Sequence, residues 1–246
     1  MTDGLTPAQA AKALKNVVGK FGFDWMADAG LRARGKAELG LRGRPLYHLG
    51  RAGVLGDVPA DVVVAVEAFF PPDIVRRSWE DRGDNRPLDV ARWYAGGCAE
   101  VARGVFPDDE RTARAASLVE RVVDAAEPAG LPLFAGWRLQ PRPDDAPGRL
   151  GVLLNVLREH RGSVHAAAVA ALGIPPLAAV MAGPYGEGNA RFFEWPEPYP
   201  DPEPWRARWD AAEDLTAAGA AVPYDALDAR ERAELVDVVR GLLVPA

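Results

Sequence analysis

The chain has 246 residues, 48% apolar and 26% charged, with a net charge of −6 and one cysteine, Cys98. A chain of this length buries enough apolar surface to fold without disulfides or metal, and one cysteine excludes an internal disulfide. The negative charge argues against nucleic acid and anionic membrane as partners, because the average field repels both.

There is no cationic-then-apolar leader and no apolar run of about 18 residues, so the expected setting is cytoplasmic, with no membrane partner. Strand-type alternation is absent and helical spacing prevails. Thr6-Pro7 reads as a helix start, followed by a helix from Ala8 to about Lys20. Pro59 opens ADVVVAVEAFF. Its valines suit a strand, but a proline in the first turn and the stop at Pro71 predict a buried helix. The piece DIVRRSWE follows. Asp89 is placed to cap a helix from Val90 to about Val105. Asp108 and Asp109 begin a helix that runs to Ala126, where acids favour the helix dipole. Gln140 to Gly148, QPRPDDAPG, is a loop.

The next stretch, GRLGVLLNVLREHRGSVH, carries the most chemistry. Leu150, Leu153, Leu154 and Leu157 mark the inward face of a helix, and His160 falls on the same stripe. Glu159, Arg161 and His165 are close by. Gly162 is a candidate break and Ser163 a candidate cap. His160 and His165 are five residues apart, about 140° around a straight helix, so they share a metal ion only if the helix breaks. Two other readings stay open. In one, His160 is a buried histidine bonded to a backbone carbonyl, with Arg161 paired to Glu159 or another acid. In the other, the cluster is a polar ligand or catalytic site with His160 as acid–base. No nucleophile elbow surrounds Ser163.

His165 to Gly183, HAAAVAALGIPPLAAVMAG, has a helix-turn-helix outline, with Gly173 at the turn and Ile174 as the apolar turn residue. The second helix, PPLAAVMAG, has no side chain able to hydrogen-bond a base edge, so a pair of packed helices is favoured over a DNA reader. GPYGEG, Gly183 to Gly188, reads as a turn without the lysine of a phosphate loop. WPEPYPDPEP has prolines at 196, 198, 200, 202 and 204, which forbids helix and favours an extended strap. From Asp201 onward ten acidic residues face five arginines, a local charge of −5, which adds to the case against phosphate contact. Among the aromatics Trp79, Trp93, Tyr94, Trp137, Phe192, Phe193 and Trp195, core packing is the expected role for most. Trp93 and Trp137, with His48 after the basic run RGRPL, are carried as candidate ligand contacts.

The segments GRAGVLGDVPADVVVAVEAFFPPDIV, EPAGLPL and VLREHRGSVHAAAVAALG, in this order, resemble an actinobacterial family of largely uncharacterised helical proteins labelled helix-turn-helix. The resemblance spans about residues 45 to 240, and its most specific piece is EHRGSVH. It implies an all-α fold with a winged-helix-like end, and places Glu159, His160, Arg161, Gly162 and His165 on the family's motif. The family's first helix carries a Glu-Pro-x-His element, whereas KNVVGKFGFDW here has no histidine. Fold membership alone leaves function open.

The expectation is therefore an all-α protein, a helical bundle with a small winged-helix-like C-terminal module. It divides into a core over 1–194, a strap over 195–204 and an acidic helical module over 205–246. Its partner is a small organic molecule, handled by a biosynthetic-pathway enzyme or a ligand sensor, with nucleic acid disfavoured as a partner; the cofactor is unknown and no metal is assigned. His160, Glu159 and His165 are the candidate catalytic residues. Arg161, an anion clamp by virtue of its fork, is a ligand contact with His48, Trp93 and Trp137. The alternative is a helix-turn-helix transcriptional regulator.

Overall fold

Thr6 opens the first helix by a reciprocal cap. Its hydroxyl accepts from the Gln9 amide at 3.2 Å, and the Gln9 side chain accepts from the Thr6 amide at 2.8 Å. The structure, a computed structural model, describes residues 4–243. Helix α1 (Pro7–Met26) runs past the expected end near Lys20. The reason is its buried face, which begins at Leu14 and Val18 and continues at Phe21 and Trp25 with helical spacing.

In chain order there follow α2 (Ala29–Leu39), α3 (Arg44–Ala52), α4 (Ala60–Val66), α5 (Pro72–Glu80), α6 (Pro87–Val105) and α7 (Glu110–Ala125). Then come α8 (Pro132–Arg138), α9 (Ala146–Ala171), α10 (Pro176–Ala182), α11 (Gly186–Phe192), α12 (Arg206–Ala221) and α13 (Ala229–Leu243). No strand occurs among the described residues, so the fold is all-α. Of ADVVVAVEAFF only Ala60–Val66 is helical and Glu67–Phe70 form a turn; Val63 alone is buried in that helix and Val62 is exposed, so the expected buried helix is shorter and more exposed than its valines suggest. Asp109 caps α7, accepting from the Thr112 amide at 2.8 Å. Asp89 does not cap α6. That helix starts earlier, at Pro87, whose missing N–H costs nothing in the first turn. Asp89 therefore lies inside the first turn. GPYGEG is only partly a turn, since α11 starts at Gly186.

Helix α9 is the axis of the molecule. At 26 residues it is about 39 Å long, and α1, α6, α7, α8 and α12 all pack on it. Its first half is buried all round, with Leu150, Val152, Leu153, Leu154 and Val156 in one apolar cluster. Gly151 lets α6 approach closely, because a Cβ there would overlap the Cβ of Ala102. Gly162 does not break the helix and Ser163 does not cap a new one; both lie inside continuous α9. With neighbours on its N-terminal half, packing holds the helix straight past a residue whose propensity cost is about 1 kcal/mol.

At the C-terminus α12 and α13 are helices, and the described residues contain no β-hairpin that would serve as a wing. Leu235, Val236 and Val239 of α13 join the same apolar cluster as Leu14 of α1 and Val119 of α7. Among the described residues no single helix is long and apolar enough to cross a membrane.

Candidate functional site

Between α1, α3, α9 and α11 lies a cavity of about 1070 Å³. Its wall includes His160, Arg161, Gly162 and Ser163 of the EHRGSVH segment. Helix α9 supplies them from one side. Phe69, Phe70 and Glu67 come from the turn after α4, and Phe192 and Phe193 from the end of α11.

The deepest polar feature is a four-charge cluster beside this cavity. Arg51 of α3 sits between two buried carboxylates. It reaches Glu159 through Nε and Nη2, at 3.0 and 2.9 Å, and Glu67 through Nη1, at 2.5 Å. Arg158 donates its Nη1 to Glu159 Oε1 at 2.6 Å. Glu67 and Glu159 are both buried. Two cations and two anions cancel, which is the condition for burying charge at tolerable cost. Burial pushes the Glu67 carboxyl up, but Arg51 and the nearby His48 outweigh it and hold it below the ordinary range. The Arg51 guanidinium is held more firmly protonated than usual: burial opposes its charge, and Glu159 and Glu67 overcome that. One oxygen of Glu67, Oε1, has no hydrogen-bond partner among the described residues.

His160 is buried, 4% exposed, with its ring edge-on to Phe134 at 4.9 Å. Burial pushes its pKa down to about 4, so the imidazole is neutral near pH 7 and offers one donor and one acceptor. Its Nδ1 has no partner among the described residues. The expected backbone-carbonyl bond is not formed by that atom.

His165 faces elsewhere. Its Nδ1 is 3.0 Å from Thr216 Oγ1 and 3.2 Å from Glu213 Oε1. The Thr216 hydroxyl donates to the Ala212 carbonyl at 2.6 Å, so Thr216 Oγ1 accepts from His165. The ring proton therefore sits on Nδ1 and Nε2 is left as the acceptor. Burial lowers the His165 pKa, with Glu213 opposing. Arg161 pairs with Glu213 rather than with Glu159, at 2.9 Å, and Lys15 joins the same carboxylate at 2.5 Å. Burial raises the Glu213 pKa, but Lys15 and Arg161 overcome it and hold the carboxyl low.

The structure thus brings His160 and Arg161 to the cavity, with Glu159 behind its wall as the partner of two arginines. It does not bring the other candidates there. His165 lies outside the wall, in the α9–α12 seam. His48 is fully buried in α3, its Nδ1 3.6 Å from Glu67 Oε1 and its ring edge-on to Phe70. Trp93 lies at the surface of α6, donating to Glu38 at 2.6 Å with Arg34 over its ring. Trp137 is core, its Nε1 donating to the Arg51 carbonyl at 2.9 Å. Its role is to hold α3 in place. Sequence reasoning missed Arg51, Glu67, Arg158, Lys15 and Glu213. Glu67 left a signal, as the lone acid inside an apolar run. The others lie on exposed-looking polar faces and are matched only by the fold. No group of three or more His, Cys, Asp or Glu side chains among the described residues is placed to hold a metal ion.

The helix-turn-helix outline is geometrically present. Helices α9 and α10 meet at 112° across a turn in which Gly173 has φ +63°, within the range of that motif. Gly173 supplies the left-handed residue that the turn needs. Helix α10, however, is covered. Ala178 and Ala179 pack with Val169, Ile174 and Ala212, beneath Trp205 and Trp209. Val180 and Met181 pack beneath Trp195 and Tyr199. The proline strap holds this cover: Trp195 Nε1 donates to the Phe69 carbonyl at 2.9 Å.

A family model described as a helix-turn-helix family matches residues 11–238. No curated protein and no solved structure matches the chain.

Proposed function

The chain belongs to a helix-turn-helix family; from its cavity, and not from that membership, we propose that it is a small-molecule-binding protein in which the helix-turn-helix is part of the scaffold. The observation that carries this reading is the cavity of about 1070 Å³ with His160 and Arg161 in its wall. Its size suits a drug-sized organic molecule. An apolar aromatic wall with a few convergent polar groups is the composition such sites have. In this reading neutral His160 is the hydrogen-bond partner of the ligand, and Glu159 fixes Arg51 and Arg158 beside it.

Native mass spectrometry of the purified protein, set against its denatured mass, tests this. The expected result is a non-covalent adduct that is lost on denaturation and reduced in His160→Ala. A bare mass, together with no compound raising Tm in a broad ligand screen, would overturn it.

A transcriptional regulator is the second reading, and the family match and the 112° crossing favour it. Against it stand the covered face of α10 and its lack of base-reading side chains. The expected result in fluorescence anisotropy with duplex DNA is no binding in 50 mM salt. Binding that weakens steeply between 50 and 200 mM salt, as phosphate contacts require, would establish the regulator instead.

A further inference from the structure

The cavity wall, apolar for the most part, carries more cations than acids in an acidic protein. Six cations, Lys15, Arg32, Arg44, Arg51, Arg158 and Arg161, face two acids, Glu67 and Glu194, although the whole chain carries −6. Most of these cations are already engaged. Arg51 is saturated by Glu67 and Glu159. Lys15 and Arg161 share Glu213, and Arg44 pairs with Glu194 at 2.7 Å. Arg32 is exposed and pairs with no acid among the described residues, and Arg158 is engaged only in part. Only its Nη1 is used, on Glu159, and its Nε and Nη2 donate to no group among the described residues.

Arg158 is also held in one place. A Cβ at Gly22 would overlap its Cδ and come within 2.7 Å of its Nε, so the side chain lies flat on the bare backbone of α1. A guanidinium that is already ordered loses little freedom when it binds an anion.

Lys15, Gly19 and Gly22 follow one another at helical spacing along α1, and on α9 Arg161 and Gly162 lie three and four residues after Arg158. Both sets reach the cavity wall or the side chains in it. Gly19 and Gly162 line the cavity, and positions for a Cβ at either meet nothing within 4 Å. The two helices therefore leave a gap without side chains, bordered by cations. Farther in, the wall is aromatic. The hydroxyls of Tyr94 and Tyr224, in side chains that are 2% and 3% exposed, have no hydrogen-bond partner among the described residues. They are free to meet a carbonyl or hydroxyl of a ligand.

We propose that the ligand is an amphipathic organic anion, an aromatic body bearing one acidic group, which enters between α1 and α9 and places that group on Arg158. This rests on the reading of the cavity as a small-molecule site. It replaces Arg161, the anion clamp expected from sequence, with its neighbour Arg158. Arg161 also uses a single nitrogen, Nη2, on Glu213; Arg158 is preferred because its side chain is held in place against the bare backbone at Gly22.

The test uses two fluorescent probes with the same aryl body: 8-anilino-1-naphthalenesulfonate, which is anionic, and N-phenyl-1-naphthylamine, which is not. Each is titrated into the wild-type chain, Gly162→Phe, Arg158→Met and Arg158→Lys, all checked for native circular dichroism. Gly162→Phe fills the gap and is expected to weaken both probes at least tenfold. Arg158→Met is expected to weaken the anionic probe at least tenfold and to leave the neutral one within twofold. Arg158→Lys keeps the charge and is expected to recover most of the lost affinity. If Gly162→Phe blocks both probes but Arg158→Met weakens them equally or not at all, the anion assignment is overturned while the cavity reading stands. The same holds if the wild type takes only the neutral probe. If neither probe binds, or Gly162→Phe changes neither, the cavity reading fails and this proposal with it.

Discussion

Replacing Glu159 with alanine is expected to cost about 3–5 kcal/mol of stability, the range for breaking a buried ion pair by removing one partner. Glu159 is fully buried and accepts from two arginines, Arg51 and Arg158. Without it, the largely buried Arg51 and the partly exposed Arg158 are left with only Glu67 to balance them. The loss is therefore more than a few hydrogen bonds; it is an uncompensated charge left in the interior. For a domain of this size it corresponds to a fall in Tm of about 6–20 °C. Urea denaturation of Glu159→Ala, Arg51→Met and the double variant reads it. The double variant is expected to be less destabilised than the sum of the two, since removing both charges leaves less unpaired. A loss below 1 kcal/mol in Glu159→Ala would mean that water reaches the cluster and that it does not order the cavity wall.

The second large effect is on acid stability. His160 has a folded-state pKa of about 4 because burial disfavours its cation, against about 6.5 in an unfolded chain. Between those values the unfolded chain binds more protons than the folded one, so lowering the pH favours unfolding. Stability from this residue is fully present above about pH 6.5 and is lost as the pH falls through 4, a change of about 2–3 kcal/mol. Chemical denaturation of the wild type and His160→Gln at pH 7 and pH 4 isolates it. The wild type is expected to lose about 2–3 kcal/mol more than the variant across that interval. The lowered carboxyls of Glu67 and Glu213 act on both proteins alike and cancel in the comparison. Equal losses would show that the His160 ring is hydrated and titrates normally.

Such a lowered pKa also bears on function. A histidine that stays neutral through the physiological range serves as a hydrogen-bond partner to a ligand rather than as a cation. The positive charge of the cavity then comes entirely from arginine and lysine, whose protonation does not vary with pH in that range. Binding of an organic anion is accordingly expected to be insensitive to pH between about 6 and 8.

Much of the backbone plan follows from local chemistry. Thr6-Pro7, Asp109 and the prolines at 59 and 71 act on their own neighbours through capping hydrogen bonds and fixed φ angles, so they are legible in order along the chain, whereas the run of prolines expected to stay extended closes in a 3-10 turn at Glu203–Trp205. The all-α class and the burial of His160 follow from the spacing of leucines on α9, which needs no partner to be seen. The helix-turn-helix outline was readable as well, from Gly173 and Ile174, and so was the poverty of α10 in base-reading side chains.

What only the tertiary structure decided was pairing. Whether Glu159 meets Arg161 or Arg51 depends on which helix lies against α9, and Arg51 is 108 positions away. Arg161 goes instead to Glu213 of α12, and His165 to Thr216 on the same helix. Gly162 looked like a break because propensity is a local measure, but α9 runs through it because packing along the preceding turns outweighs about 1 kcal/mol. The cavity itself has no sequence signature. It is the space left where α1, α3, α9 and α11 meet, and its cations converge from helices whose charges, read singly, resemble ordinary solvated faces. Composition and periodicity report on one element at a time, whereas charge pairing and enclosed volume are properties of contacts between elements far apart in sequence.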